Sequence, residues 1–264
     1  ICHTRKMKAW TVDLSMLDLQ SSKKSTPALL LVAGVFFAVL LHLNTGSEGE
    51  IYTLNGATMG TSWSIQLGSP VATGTLQQTG TRIETLLHRL DREVFSTWTQ
   101  ASELSMLNRS AVAEPVQVSV DMLQVLQLAK IVYDASNGSF DISIGPLVEV
   151  WGFGPAVVTA LPEEAAIEQA RAQLGLDALS IDTTQGTVTR HKALSLDLSG
   201  IAKGYATDKV AQLLDEQGYR NYIVEIGGEL RLQGQRPDGQ PWIIAMETPT
   251  NGIREAYAKV AGNG

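Results

Sequence analysis

The residues best suited to chemistry lie in one stretch, Leu196-Asp197-Leu198-Ser199-Gly200-Ile201-Ala202-Lys203-Gly204-Tyr205-Ala206-Thr207-Asp208. It reads as an apolar strand entering a turn, and the turn entering a helix. Ile201, Tyr205, Val210, Leu213 and Leu214 share one helical face, and Gly218 follows where a left-handed stop costs least. The turn therefore sits at a helix N-terminus, which offers unpaired N–H groups and about half a positive charge. Lys203 in the first turn is ordinarily unfavourable beside that charge, so an anion such as a phosphate is expected there. On these residues alone the plain alternative stays open: Ser199 as N-cap, Lys203 solvated and Asp197 a strand end.

Stepping outward, 264 residues with 27 acidic and 20 basic side chains carry a net charge of −7, which argues against nucleic acid as a partner. The single cysteine, Cys2, precedes the first apolar run. The globular part is left without a disulfide, a thiolate nucleophile or a cysteine-based zinc site.

That run, Ala28 to Leu41, follows Lys23, Lys24 and Pro27 and is shorter than the ~20 residues a spanning helix needs. It reads as a signal anchor or a signal peptide, with the flanking lysines keeping the N-terminal side in the cytoplasm and everything after Asn44 facing outward. The organisation expected is an N-terminal cytoplasmic or untranslated segment over 1–27, the membrane or signal segment over 28–43, a linker over 44–50 and a folded domain over 51–264. The chain starts at Ile1 and stops at Ala261-Gly262-Asn263-Gly264 without a closing element, so truncation at both ends is expected.

Within the folded part, Tyr52-Thr53-Leu54 and Ser62 to Leu67 read as strands about a turn over Asn55 to Thr61, with Met59 either filling the core or covering a ligand ring. Thr75 to Val94 reads as an amphipathic helix through Leu76, Ile83, Leu86, Leu87, Leu90 and Val94. Ser102, Glu103 and Ser105 suggest a short capped helix. Trp98 ahead of it reads first as a core plug and second as a stacking platform. A helix from Val120 to Ser136 ends at Asn137-Gly138. The Gly-, Pro- and aromatic-rich run Ser139 to Pro155 reads as a pocket-building loop, in which Asp141 either meets a ligand or caps a turn. Pro162-Glu163-Glu164 opens a helix to Leu174-Gly175. Leu179 to Leu198 reads as three short strands, Tyr222 to Ile226 and Glu229 to Gln233 as a hairpin about Gly227-Gly228, and Trp242 to Glu247 as a last strand.

Five blocks in this order carry a resemblance: Thr58-Met59-Gly60-Thr61; Ser96-Thr97-Trp98 with Ser102-Glu103 and Asn108; Asp141 leading to Gly145-Pro146-Leu147 and Trp151 to Pro155; Asp197 to Tyr205; and Glu225-Ile226-Gly227-Gly228-Glu229. Together they closely resemble the ApbE family of FAD:protein FMN transferases, over about Tyr52 to Pro249. The resemblance implies an α+β fold of mixed, largely antiparallel sheets flanked by helices. It implies a Mg²⁺-dependent transferase on the periplasmic side of the inner membrane. That enzyme would move FMN from FAD to a threonine hydroxyl of a flavoprotein subunit of a membrane redox complex and release AMP. By position, Met59, Trp98, Ser139, Phe140, Asp141, Asp197 and Lys203 would contact FAD, and the Gly200 carbonyl would be a metal ligand; no catalytic base is assigned. The family's remaining metal ligands, an Asp and a Thr near its C-terminus, have no counterpart in the residues present. The chain as it stands is therefore expected to bind FAD poorly and not to turn over, whereas the full-length protein is expected both to bind FAD and to turn over. An FAD pyrophosphatase yielding FMN and AMP, and a non-catalytic flavin-binding protein, are the alternatives.

Overall fold

The computed structural model describes residues 50–68, 73–155, 160–247 and 256–262; the apolar run at 28–41 lies outside them. Among the described residues no helix is long and apolar enough to cross a membrane.

The fold is α+β, as expected, and its central sheet is antiparallel in the order β1-β2-β6-β7. Strands β1 (Tyr52–Thr58) and β2 (Thr61–Leu67) form a hairpin, β6 (Tyr222–Ile226) pairs with β2, and β7 (Glu229–Gln233) lies at the edge. Alternation along β2 buries Trp63, Ile65 and Leu67, and the register sets them opposite Ile226, Val224 and Tyr222. These cross-strand pairs form the sheet's side of the core; burying each aliphatic side chain stabilises the fold by about 1.5–3 kcal/mol.

The first hairpin is tighter than its sequence suggests. Instead of ending at Leu54, β1 continues through Thr58, and the turn is only Met59-Gly60. Both turn residues have positive φ, 49° and 72°, which matches the right-handed twist of the flanking strands. Gly56 stays in the strand because Trp63, directly across, occupies its side-chain space; a Cβ there would meet the indole at 2.6 Å.

Helix α1 (Thr73–His88) and a following π-turn (Arg89–Val94) pack with the long helix α6 (Ala202–Glu216) against this sheet. Helices α2 (Glu103–Arg109) and α3 (Val120–Ala135) begin at Ser102 and Ser119, each of which caps with its hydroxyl. Ser119 in turn donates its hydroxyl to Glu103 at 2.7 Å, tying α3 to the start of α2. After α3, Asn137 and Gly138 take positive φ and turn the chain.

The run Ser139 to Pro155 is more regular than a loop. It holds a 3-10 turn (Ile142–Ile144) and α4 (Gly145–Val150), because Asp141 caps the turn by accepting from the Ser143 N–H at 2.7 Å and Pro146 stands at the start of α4. Helix α5 spans Glu164–Arg171. Strands β3 (Pro115–Gln117), β5 (Thr187–Arg190) and β4 (Leu179–Asp182) form a second antiparallel sheet, and β8 (Trp242–Glu247) pairs with β9 (Ala256–Gly262). The third strand expected before Leu198 does not form. Its backbone pairs instead with a side chain and with the 142–145 turn, as described next.

Candidate functional site

Four short segments, two of them consecutive in the chain, enclose one open cleft of about 340 Å³.

The first is the Met59-Gly60 turn. A methionine at positive φ is uncommon and costs on the order of 1 kcal/mol, so the hairpin holds Met59 there against its preference. Its side chain packs on the core and also lines the cleft.

The π-turn supplies the second segment. The Phe95 N–H reaches back to the Leu90 carbonyl at 2.9 Å, a five-residue span that rotates Asp91, Arg92 and Phe95 to the cleft. Arg92 Nε lies 3.3 Å from the Asp91 carboxylate. Neither residue stands out in sequence, since both read as the polar face of an amphipathic helix.

Third is Ser96-Thr97-Trp98. The Ser96 hydroxyl oxygen accepts from the Trp98 and Thr99 N–H groups at 3.1 and 3.0 Å, and the Ser96 carbonyl accepts the hydroxyls of Ser102 and Ser105. Trp98 is 65% exposed at the cleft. The reading of Trp98 as a core plug is therefore corrected: the Ser96 turn presents its ring outward.

The fourth segment is the start of α6, contributing Leu198, Ser199, Ala202 and Lys203. Ser199 is not the N-cap. Ile201 holds that position, and no side chain caps the helix. The Asp197 carboxylate instead accepts from the Ser199 N–H at 2.8 Å, and the Leu198 carbonyl accepts from Ile201 and Ala202, so the turn closes on itself. Lys203 has no carboxylate partner among the described residues. Its stem passes Gly227, where a Cβ would meet Lys203 Cδ at 3.0 Å, so glycine at φ 55° lets the β6–β7 turn close against it.

Asn108 clamps the chain entering this turn: its side-chain amide donates to the Leu196 carbonyl and accepts from the Leu196 N–H, both at 2.8 Å. The Asp197 N–H bonds to the Ile142 carbonyl at 2.8 Å, and the Gly145 N–H to that of Ser195. These bonds replace the missing strand ladder. Asn108 stands in the second sequence block, but nothing in its spacing announces this role.

The structure thus brings Met59, Trp98 and Lys203 into one cleft. Asp197 is buried beneath the turn and faces an adjoining recess. Ser139, Phe140 and Asp141 do not line the cleft. The Phe140 ring comes within 3.2 Å of the side-chain position at Gly200, which places this segment against the turn's other side. Gly200 itself is exposed. Among the described residues no group of three or more His, Cys, Asp and Glu side chains could hold a metal ion. The described residues alone do not make a complete metal site.

Fold and cleft together define an α+β protein in which a helix N-terminus without a side-chain cap, and a lysine with no carboxylate partner among the described residues, stand beside an aromatic ring and a thioether. The ApbE family model matches residues 59–263, and the chain belongs to that family. The FAD:protein FMN transferase of Haemophilus influenzae is 36% identical over 243 residues, covering 88% of this chain and 69% of that protein. The FAD:protein FMN transferase of Vibrio cholerae is 37% identical over 215 residues, covering 81% and 64%. The solved flavin transferase ApbE from Vibrio cholerae superimposes with a TM-score of 0.70 at 40% identity, over 76% of this chain and 64% of that one. The chain spans about two thirds of the length of these relatives.

Proposed function

We propose that this protein transfers FMN from FAD to a threonine hydroxyl of an acceptor flavoprotein, with AMP as the second product. The observation that carries this reading is the cleft at the start of α6, where Lys203 lacks a carboxylate partner among the described residues and the Trp98 ring and Met59 thioether stand beside it. In the reaction the threonine hydroxyl gives up its proton to solvent as its oxygen forms a bond to the FMN phosphorus, the bond from that phosphorus to the bridging oxygen breaks, and AMP leaves with that oxygen.

The role of each group follows from its chemistry. Lys203 and the α6 terminus offset the charge of the diphosphate, which otherwise repels an incoming oxygen nucleophile. Trp98 and Met59 cover a flavin or adenine ring, since both pack favourably on π faces. Asp197 holds the Ser199 peptide and so the shape of the turn. Ser139, Phe140 and Asp141 support the Gly200 side of the site and complete the set assigned to FAD. Mg²⁺, when bound, would neutralise phosphoryl oxygens, and the Gly200 carbonyl would be one of its oxygen ligands.

The same reading places the domain over 51–264 on the periplasmic side of the inner membrane, behind a signal anchor or a cleaved signal over 28–43. What supports it is the apolar run with lysines on its N-terminal side. The acceptor would then be a flavin-carrying subunit of a membrane redox complex.

Full-length protein incubated with FAD, Mg²⁺ and a threonine-bearing acceptor domain is expected to give an acceptor band that fluoresces in a denaturing gel. The band should be absent when FMN replaces FAD. A dark acceptor with all components present rejects the transferase reading.

A further inference from the structure

The cleft adjoins a second, smaller recess of about 150 Å³, whose lining includes Asn108, Arg109, Glu149 and Asp197. Thr97 is the residue the two recesses share, and they meet again across the consecutive residues Asp197 and Leu198. Thr97 is held firmly: the Ser96 hydroxyl oxygen takes the N–H groups of both following residues, and the Ser96 carbonyl is itself bound by two serine hydroxyls. The Thr97 hydroxyl, by contrast, makes no hydrogen bond among the described residues. A rigid backbone therefore carries an uncommitted donor at the junction of two recesses, one of which holds Lys203.

A dinucleotide has the matching form, two ring-bearing halves joined by a diphosphate. We propose that Thr97 is a substrate-contacting residue that donates its hydroxyl to a diphosphate oxygen where the substrate crosses from one recess to the other. This inference rests on the reading of FAD as substrate and adds to it a reason for preferring a dinucleotide. FMN, with one phosphate and one ring system, would fill one recess and leave the junction uncrossed. Donation to a charged oxygen is stronger than an ordinary hydrogen bond, so the residue should contribute measurably to affinity.

Titration of the protein with FAD and separately with FMN tests the idea in three forms: wild type, Thr97→Val and Thr97→Ser. Valine keeps the shape and removes the hydroxyl, whereas serine keeps the hydroxyl. Thr97→Val is expected to weaken FAD binding about tenfold and FMN binding less than about twofold, with Thr97→Ser within about threefold of wild type for FAD. Thr97 is half-buried and outside the core, so thermal melting should confirm that all three fold alike. Unchanged FAD affinity in Thr97→Val overturns the inference while leaving the FAD reading intact. Equal losses for FAD and FMN also overturn it, since Thr97 would then only shape the wall. A wild-type protein that binds no FAD removes both.

Discussion

Lys203→Ala is expected to weaken FAD binding by about ten- to a hundredfold, the fold-change corresponding to loss of one charge-assisted contact of about 1.5–3 kcal/mol. The expectation follows from what the lysine lacks. Among the described residues no carboxylate neutralises it, yet it stands in the first turn of α6, where the helix's own partial charge repels it. That arrangement is unfavourable without an anion and favourable with one. Lys203→Gln, which keeps most of the stem against Gly227, should lose nearly as much affinity, separating charge from packing. Raising the ionic strength should weaken FAD binding to wild type more steeply than to either variant. Equal affinity in Lys203→Ala and wild type would show a solvated side chain and no phosphate contact. The melting temperature should move little, because the residue is only half-buried and its side chain makes no hydrogen bond or ion pair among the described residues.

A larger effect on stability is expected from Asp121→Ala, which should cost about 2–3 kcal/mol, or roughly 5–10 °C in melting temperature. Asp121 is 9% exposed and joins three elements. It accepts the Tyr205 hydroxyl of α6 at 2.7 Å and pairs with Arg89 of the π-turn at 2.6 Å, with Lys209 3.9 Å away. Tyr205 also meets the Phe95 ring edge-on at 5.6 Å, and Phe95 lines the cleft. Removing the carboxylate leaves the Tyr205 hydroxyl with Gln124 alone, strands the Arg89 guanidinium and loosens two cleft walls from α3. Arg89 is partly exposed, which keeps the expected loss below that of a fully buried pair.

Burial opposes ionisation of Asp121, but the Tyr205 hydroxyl, then Arg89, and then Lys209 outweigh it and hold the carboxyl below its ordinary value. A depressed folded-state value means that the stabilisation is complete above the unfolded value of about 3.9 and is lost as the pH falls through the folded one. Thermal melts from pH 7 down to pH 3 should therefore show a steeper acid decline for wild type than for Asp121→Asn. Identical acid limbs in the two would contradict this role. Burial first, and then Asp121, pushes the Tyr205 hydroxyl well above its usual range, so it remains a donor throughout.

Periodicity made most of the frame legible. Strands β6 and β7 and helices α3 and α6 lie within about two residues of the expected bounds, and the two helices each bury one apolar face. The misreadings come from side-chain contacts that local spacing does not announce and, in one run, from an ambiguous proline. Nothing near Leu196 says that Asn108 will hold its peptide, and the segment looks like any extended apolar strand. Nothing near Trp98 says that Ser96, held by Ser102 and Ser105, will turn its ring outward. The Gly- and Pro-rich run at 139–155 hides a helix because proline at a helix start resembles proline in a loop. Of the site, Met59, Trp98 and Lys203 were legible through the order of the blocks they belong to, which no single motif supplies. Asp91 and Arg92 were not, since a π-turn leaves no mark in hydrophobic spacing and only the altered backbone brings them to the cleft.

The central claim is that the bend before α6 grips a diphosphate. A crystal structure with FAD tests it most directly. The account predicts phosphate density at the N-terminus of α6 within hydrogen-bonding reach of Lys203 Nζ, and a ring stacked beside Trp98. Ordered FAD bound elsewhere, with the Lys203 cleft empty, would contradict it.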